Sequence, residues 1–319
     1  MILVTGATGF VGRALIPRLV ESGAEVRCLI RPSKTTPRLP RGVAVQVAVS
    51  QLNDARGLRA ACSGVDTIIH LAGSEWRGTV RDLQTVDQQG STTLLEAARS
   101  AGVGRIVYLS HLGADRNSAF AVHRVKGAVE DMIRKSGLDY MIVRSGLLFG
   151  AGDAFTNALA MMMHIVPGVF WMPADGRTLV QPLWIEDLVT CLEWGLDDSA
   201  LWNMTLDIGG PEFFTVETLL KMIMARTKIN RVLISTPRPY LRAVASVMES
   251  VLPRSPFTTR WVDHFAVNRT CELTSVTRYF GLRPSRMDQR LGYLENRRWG
   301  RELGLFVRGL PSLVEAAQT

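Results

Sequence analysis

The stretch Met1-Ile-Leu-Val-Thr-Gly6-Ala-Thr-Gly9-Phe-Val-Gly12-Arg-Ala-Leu-Ile-Pro-Arg-Leu-Val20 joins an apolar run to a glycine-studded turn and then to apolar residues at helical spacing. MILVTG has the continuous apolarity of a strand buried on both faces. ATGFVGRALIPRLVESG predicts a helix that stops at Gly23. Between them, Gly6 allows a sharp turn, Gly9 lets an anion approach the backbone, and Gly12 permits close helix–strand packing. The amides of the first helical turn then face the anion, and the helix dipole adds to the attraction. This is a pyrophosphate cradle of spacing GxxGxxG, and Gly6, Thr8, Gly9, Phe10, Val11 and Gly12 are its candidate residues.

Outward from this turn the pattern repeats. AEVRCLIR, VAVQVAV, VDTIIHLAG, GRIVYLSHLG and LDYMIVRSGLLFG predict five further strands. DARGLRAACSG, VDQQGSTTLLEAARSAG and AVHRVKGAVEDMIRKSG predict helices between them. Strands without polar alternation, separated by helices, imply an α/β fold with a doubly wound parallel sheet (Rossmann). After Gly150 the rhythm changes. Residues 151–182 read as cleft insertions with a Met-rich helix, followed by helix LWIEDLVTCLEWGL, strand WNMTLDIGG and helix TVETLLKMIMART. From Ile229 on, Pro237, Pro239, Pro253, Pro256, Pro284 and Pro311 separate helical pieces. We therefore expect a Rossmann domain over 1–228 and a smaller, mainly helical lobe over 229–319.

Composition narrows the class. Of 319 residues, 47 % are apolar and 21 % charged, which is globular and not disordered. Cys28, Cys62, Cys191 and Cys271 form no CxxC pair, so neither a disulfide framework nor a metal site is expected. The longest apolar stretch, 158–174, is broken by His164, Pro167, Gly168 and Pro173 and does not read as a membrane span. With a strand starting at Ile2 there is no room for a signal peptide, and the expectation is a cytoplasmic protein. The net charge of +8 is uneven: residues 231–319 carry 14 Arg against 7 Asp/Glu. Such a basic lobe can dock on an acidic protein or a lipid surface, or be a solvated face. YLRAVASVMESVLP and RLGYLENRRWGRELGLFVRGL mix arginine with large apolar residues, consistent with a peripheral membrane contact or with arginine stems covering the lobe. No DNA-reading motif is present, so no nucleic-acid partner is expected.

The end of the second strand selects the cofactor. An NAD site usually places an acidic residue there; this sequence has Ile30-Arg31-Pro32-Ser33-Lys34. The planar donor fork of Arg31, with Lys34 and Arg13 adding charge, suits a 2′-phosphate. NADP is expected, with NAD the alternative.

GATGFVG, HLAG at the end of strand four, and RSGLLFG with the later PLWIEDLV together resemble the extended and atypical short-chain dehydrogenase/reductases, nearest to the NmrA-like branch and the NAD(P)H-binding accessory subunit of respiratory complex I. The likeness covers roughly residues 1–220. It implies that Leu71, Ala72 and Gly73 line the adenine–ribose side, that Lys126 contacts the nicotinamide ribose, and that Ser145 to Leu147 lie near the nicotinamide. Where the family reads G-D-L after strand three, this chain has Ser50-Gln51-Leu52, and Gln51 can still bond the adenine amine. Where the family has Pro after strand six, this chain has Ser145.

The larger departure is catalytic. Active members carry Tyr-x-x-x-Lys on one helix face, where the ammonium lowers the phenol pKa and the phenol moves the proton. Four residues before Lys126 stands Val122, which cannot transfer a proton. His123, Ser110 and His111 are the substitutes considered, with Lys126, His123 and Ser110 as the catalytic set. His164 with Met161, Met162, Met163 and Phe170 reads either as an apolar substrate lining or as core. Two functions remain open: an NADP-dependent oxidoreductase or isomerase on an apolar small molecule, or a non-catalytic sensor or accessory subunit that binds the cofactor and docks into a protein complex through the basic lobe.

Overall fold

The computed structural model describes residues 1–33, 39–74, 82–252, 255 and 257–308; Lys34, Pro253, Pro256 and Pro311 lie outside them. The first half alternates as the sequence predicts. Strands β1 (Ile2–Thr5), β2 (Val26–Ile30), β3 (Gln46–Val49), β4 (Thr67–His70), β5 (Arg105–His111) and β6 (Asp139–Ser145) are interleaved with helices α1 (Phe10–Glu21), α2 (Ala55–Cys62), α3 (Gly90–Ser100) and α4 (Ala121–Arg134). With β11 (Met204–Ile208) the six strands form one seven-stranded sheet in the order β11-β6-β5-β4-β1-β2-β3. Every pairing in it is parallel. The expected doubly wound Rossmann sheet is what the chain builds.

Side chains of successive strand residues point to opposite faces. Leu3, Ile68, Ile106 and Ile142 enter one apolar layer, and Val4, Ile69, Val107 and Val143 enter the other. Helices cover both layers, which is why the strands lack polar alternation. The edge strand β3 is the exception: Val47 and Val49 are exposed. It is also shorter than VAVQVAV suggests, because an edge position has only one neighbour to pair with.

Three features depart from the sequence expectations. The sixth predicted strand splits at Gly146, where a Cβ would lie 2.1 Å from the Gln181 carbonyl oxygen; β7 (Leu147–Phe149) instead pairs with β10 (Pro182–Trp184) in a separate sheet. The predicted third helix is entered through a π-helical turn, Leu83–Gln89, that runs directly into α3. The C-terminal lobe contains a strand, β13 (Val232–Thr236), parallel to β8 (Val169–Pro173).

The remaining elements are α5 (Thr156–Ile165), β9 (Leu179–Val180), α6 (Ile185–Asp197), β12 (Phe214–Thr215), α7 (Val216–Thr227), α8 (Arg238–Val251), α9 (Thr259–His264), α10 (Ser275–Phe280), α11 (Met287–Arg290) and α12 (Trp299–Val307). A third apolar cluster, running in sequence from Leu147 to Trp299, joins most of them, while α6 and α10 pack on the sheet layer of Val4 and Val107 through Leu188, Leu192 and Val276. At its centre Trp261 meets Phe265 at 4.8 Å between ring centroids, and Phe265 meets Phe155 at 5.4 Å. Among the described residues no helix is long and apolar enough to cross a membrane.

Candidate functional site

The register sets the site. Thr5 at the end of β1 lies beside Leu29 of β2 and His70 of β4, so the carboxyl ends of the central strands finish level. Beyond that edge an open α/β sheet leaves its crevice. Here it is a cleft of about 590 Å³. Gly6, Thr8, Gly9, Phe10, Val11, Gly12 and Arg13 all line it. Gly6 has φ +73°, and a Cβ there would sit 2.7 Å from the backbone of Leu71 and Ala72. A Cβ at Gly12 would sit 2.5 Å from the Gly6 carbonyl oxygen. Gly9 is the N-cap of α1, with no side-chain cap bond, so the first amides of the helix remain available for an anion. The cradle fits a diphosphate because side chains at these positions would fill it or displace the chain around it.

Beside the cradle a polar relay pins β1 to β4 and α3. Ser91 Oγ donates to the Asp87 carbonyl, so His70 Nε2 must donate to Ser91 Oγ at 2.9 Å. His70 Nδ1 then accepts from Thr5 Oγ1 at 2.7 Å, and Thr5 Oγ1 accepts from the Ala72 amide at 3.3 Å. Burial, aided by the Lys126 charge, pushes the His70 pKa down to about 3 and keeps the ring neutral, as this relay requires.

On the side where the resemblance expects adenosine, Arg31, Leu29, Ser50, Leu52, Leu71, Ala72 and Gly73 line the cleft. Gln51 is exposed and is not part of the lining, although its neighbours Ser50 and Leu52 are. The π-helical turn brings the buried Asp87 to this edge, where Oδ1 accepts from the Ser74 amide at 2.8 Å. A Cβ on Gly73 would approach both Asp87 Oδ2 and Lys126 Nζ within 4 Å. Asp87 was not singled out by sequence reasoning; the π turn that aims it has no periodic signature.

At the far end of the cleft stand Lys126, Ser110, His111, Ser145 and Leu147. Lys126 is buried; Nζ donates to the Leu109 carbonyl at 3.1 Å and lies 5.1 Å from the Tyr108 ring centroid. Val122 packs into the sheet layer with Tyr108 and Val125, so the position of the family's tyrosine faces the core. Tyr108 does not replace it, since burial pushes its phenol up to about 12. Ser110 Oγ donates to Glu130 Oε1 at 2.6 Å, and the fully buried Glu130 is held by Arg144 at 2.9 and 2.6 Å and by Arg134 at 2.8 Å. That network ties the Ser110 hydroxyl hydrogen to a carboxylate behind the cleft.

His123 is absent from the lining. It is buried behind His111, 4.8 Å between ring centroids, with His264 of α9 at 6.0 Å from His111. Burial, then the Arg269 charge, brings the His123 pKa down to about 4. The same causes, with His123 and Lys126, hold His111 well below the usual histidine range. His111 Nδ1 lies 3.0 Å from the Leu112 carbonyl oxygen. A carbonyl only accepts, so Nδ1 carries the hydrogen and the neutral ring presents a lone pair at Nε2. Nε2 is buried and has no hydrogen-bond partner among the described residues, on a ring that lines the cleft. The cleft wall therefore contains a neutral histidine of fixed tautomer.

Residues far along the chain complete this end. Arg269, Asp153 and Phe155 line it. The Asp153 carboxylate caps α5, accepting from the amides of Gly150, Phe155 and Thr156, and Tyr293 Oη donates to it at 3.0 Å. Nothing local in the sequence marks Arg269, which reaches the site through an isolated bridge to Val180. Met161, Met162, Met163 and Phe170 belong to the third apolar cluster and do not line the cleft, while His164 is exposed. Among the described residues no group of three or more His, Cys, Asp or Glu is arranged to hold a metal ion.

Several known proteins resemble this chain. Residues 6–158 match a family model described as NAD(P)H-binding. The chain is 25 % identical over 280 residues to the mitochondrial NADH dehydrogenase (ubiquinone) 1 alpha subcomplex subunit 9 of Arabidopsis thaliana, covering 86 % of this chain and 69 % of that one. It is 34 % identical over 159 residues to the ceramide reductase of Caulobacter vibrioides, spanning half of each protein. In fold it resembles an NADPH-dependent quinone oxidoreductase of Escherichia coli complexed with NADPH, with a TM-score of 0.74, 18 % identity, and coverage of 92 % and 99 % of the two chains. The glycine cradle and the sheet order agree with these likenesses, and residues 6–158 carry the match to the NAD(P)H-binding family.

Proposed function

We propose that this chain binds NADP(H) and is an oxidoreductase acting on a hydroxyl or carbonyl group of an apolar small molecule, with His111 in place of the missing tyrosine. The observation that carries the reading is the neutral His111 ring lining the cleft that also holds Lys126, with a lone-pair-bearing Nε2 that has no hydrogen-bond partner among the described residues. A bound nicotinamide supplies hydride chemistry. The chain's residues do the rest. Gly6 to Gly12 hold the diphosphate, and Arg31 holds the adenosine phosphate. Lys126 positions the nicotinamide ribose. His111 Nε2 accepts a substrate hydroxyl proton, and Leu147, Leu148, Ala154 and Phe155 give that end of the cleft an apolar wall. His123 acts behind His111 as a positioning residue, packing the ring edge-on.

The test is turnover of NADP⁺ and NADPH against a panel of apolar secondary alcohols and their ketones. His111→Ala should lower kcat by a factor of about 10²–10⁴ while leaving NADPH affinity within a few-fold. Unchanged turnover in that variant contradicts the assignment.

A second reading is favoured by one observation, the burial of Val122 where a proton-transferring residue would stand. In it the chain is a cofactor-loaded accessory subunit or sensor, in keeping with the complex I subunit among its relatives. Tight NADPH binding without turnover on any of the panel would favour it.

A further inference from the structure

The lobe beyond the sheet leaves an apolar ridge in solvent. Helix α8 buries Leu241 and Ala245 against the third cluster. Next to that stripe, Tyr240, Val244, Val247 and Val251 are 69, 47, 63 and 72 % exposed. Positions i, i+4, i+7 and i+11 fall on one line along a helix. Strands β8 and β13, the former in contact with α8, add Trp171 and Ile234, which are direct partners in the strand register and are both exposed. Single exposed apolar side chains need no explanation, but an aligned row with aromatic residues marks an interaction face.

The charge around the ridge is predominantly positive. From Lys228 to Val251 the chain carries Lys228, Arg231, Arg238 and Arg242 against one acid, Glu249, which accepts from the Thr259 amide and hydroxyl. Arg242 is paired with Asp263. Arg231 bonds the carbonyls of Met163 and Val166 at 2.8 and 2.7 Å, contacts that leave its positive charge in place.

We propose that this face docks on an anionic lipid membrane. The α8 ridge, with Trp171 and Ile234, enters the boundary between headgroups and acyl chains, and Lys228, Arg231 and Arg238 lie over the anionic headgroups. Charge complementarity selects an anionic surface. The valine row and the Trp/Tyr pair select lipid over nucleic acid, because phosphates alone gain nothing from an apolar ridge, whereas Trp and Tyr settle at membrane interfaces. The association is peripheral and independent of the chemistry assigned to the cleft.

The experiment is flotation of the full chain with phosphatidylcholine vesicles and with phosphatidylcholine–phosphatidylglycerol vesicles, at low and high salt. Binding to the mixed vesicles should be about tenfold tighter than to the neutral ones and should weaken as salt screens the headgroups. The double variant Val244→Asp/Val247→Asp should lose that binding at least about tenfold, with NADPH titration and Tm unchanged because both residues point into solvent. Equal binding to the two vesicle types, no binding, or full binding by the double variant overturns the proposal. Self-association of the wild type that the double variant abolishes, without vesicle binding, assigns the ridge to a second copy of the chain and also overturns it.

Discussion

Among the described residues, the proposed preference for NADP rests on Arg31 with Arg13, both in the cleft lining. Arg31 lines the proposed adenosine end of the cleft, where an NAD site would place an acid. A charge-assisted bond to a phosphate is worth about 1.5–3 kcal/mol, which is roughly a ten- to hundredfold change in affinity. Arg31→Ala should weaken NADPH by that factor and NADH by little, read by fluorescence titration of both nucleotides. Equal losses for the two would show that Arg31 does not touch the 2′-phosphate. At His111 the expectation concerns pH. Its depressed pKa keeps Nε2 unprotonated at neutrality, so oxidative turnover should show no inflection at the ordinary histidine value of about 6.5. An inflection there would mean that another base does the work. His123 shows the limit of spacing arguments. A position three residues before Lys126 shares its helix face, yet the side chain ends behind His111, because β5 delivers its own histidine to the wall first.

At the scale of elements, the sheet was legible because burial on both faces forces continuous apolarity, a pattern that survives in the bare sequence. The glycine turn was legible because Gly6 and Gly12 have steric reasons that no other residue meets, while Gly9 keeps a side chain off the anion face. Asp87, Arg269 and Asp153 were not. The first depends on a π-helical turn, the second on one bridge to Val180, and the third on a cap whose Tyr293 partner lies 140 residues away. Glu130 on α4 is a further case: it joins Ser110 of β5 and Arg144 of β6 across two strands. Removing one member of a buried ionic network leaves the others uncompensated, at a cost of about 3–5 kcal/mol. Glu130→Ala should lower stability by that amount in denaturant titration. A loss below about 1 kcal/mol would show that Arg134 and Arg144 find other partners or water.

Across the whole molecule four buried histidines, His70, His111, His123 and His264, are held below their ordinary pKa by burial. In the unfolded chain each takes up its proton near pH 6.5. Below that pH the unfolded state binds more protons than the folded one, so stability rises with pH and is lost as pH falls. For His123 the window runs from about 6.5 down to about 4, and it alone contributes about 3 kcal/mol across that range. Asp153, Glu186, Asp187, Asp207 and Asp263, whose carboxyls are raised by burial, act in the opposite sense, since their protonated folded forms favour lower pH. The histidine contribution opens first, near pH 6.5 in the unfolded chain, above the ordinary carboxyl range of about 4, so Tm should fall on acidification from neutrality into this window. A flat Tm there would contradict the buried, neutral histidine cluster.

All of the functional reading depends on backbone amides at the start of α1 being open to a diphosphate. Gly9 tests this most directly, because it faces the cleft as the N-cap and its φ of −77° is open to any residue. Isothermal titration of NADPH into the wild type and into Gly9→Val is the measurement. The wild type should bind one NADPH per chain. The variant, folded with a loss of about 1 kcal/mol at the cap, should bind none that can be measured. Equal NADPH affinity in the two proteins, or no binding by the wild type, would contradict the account.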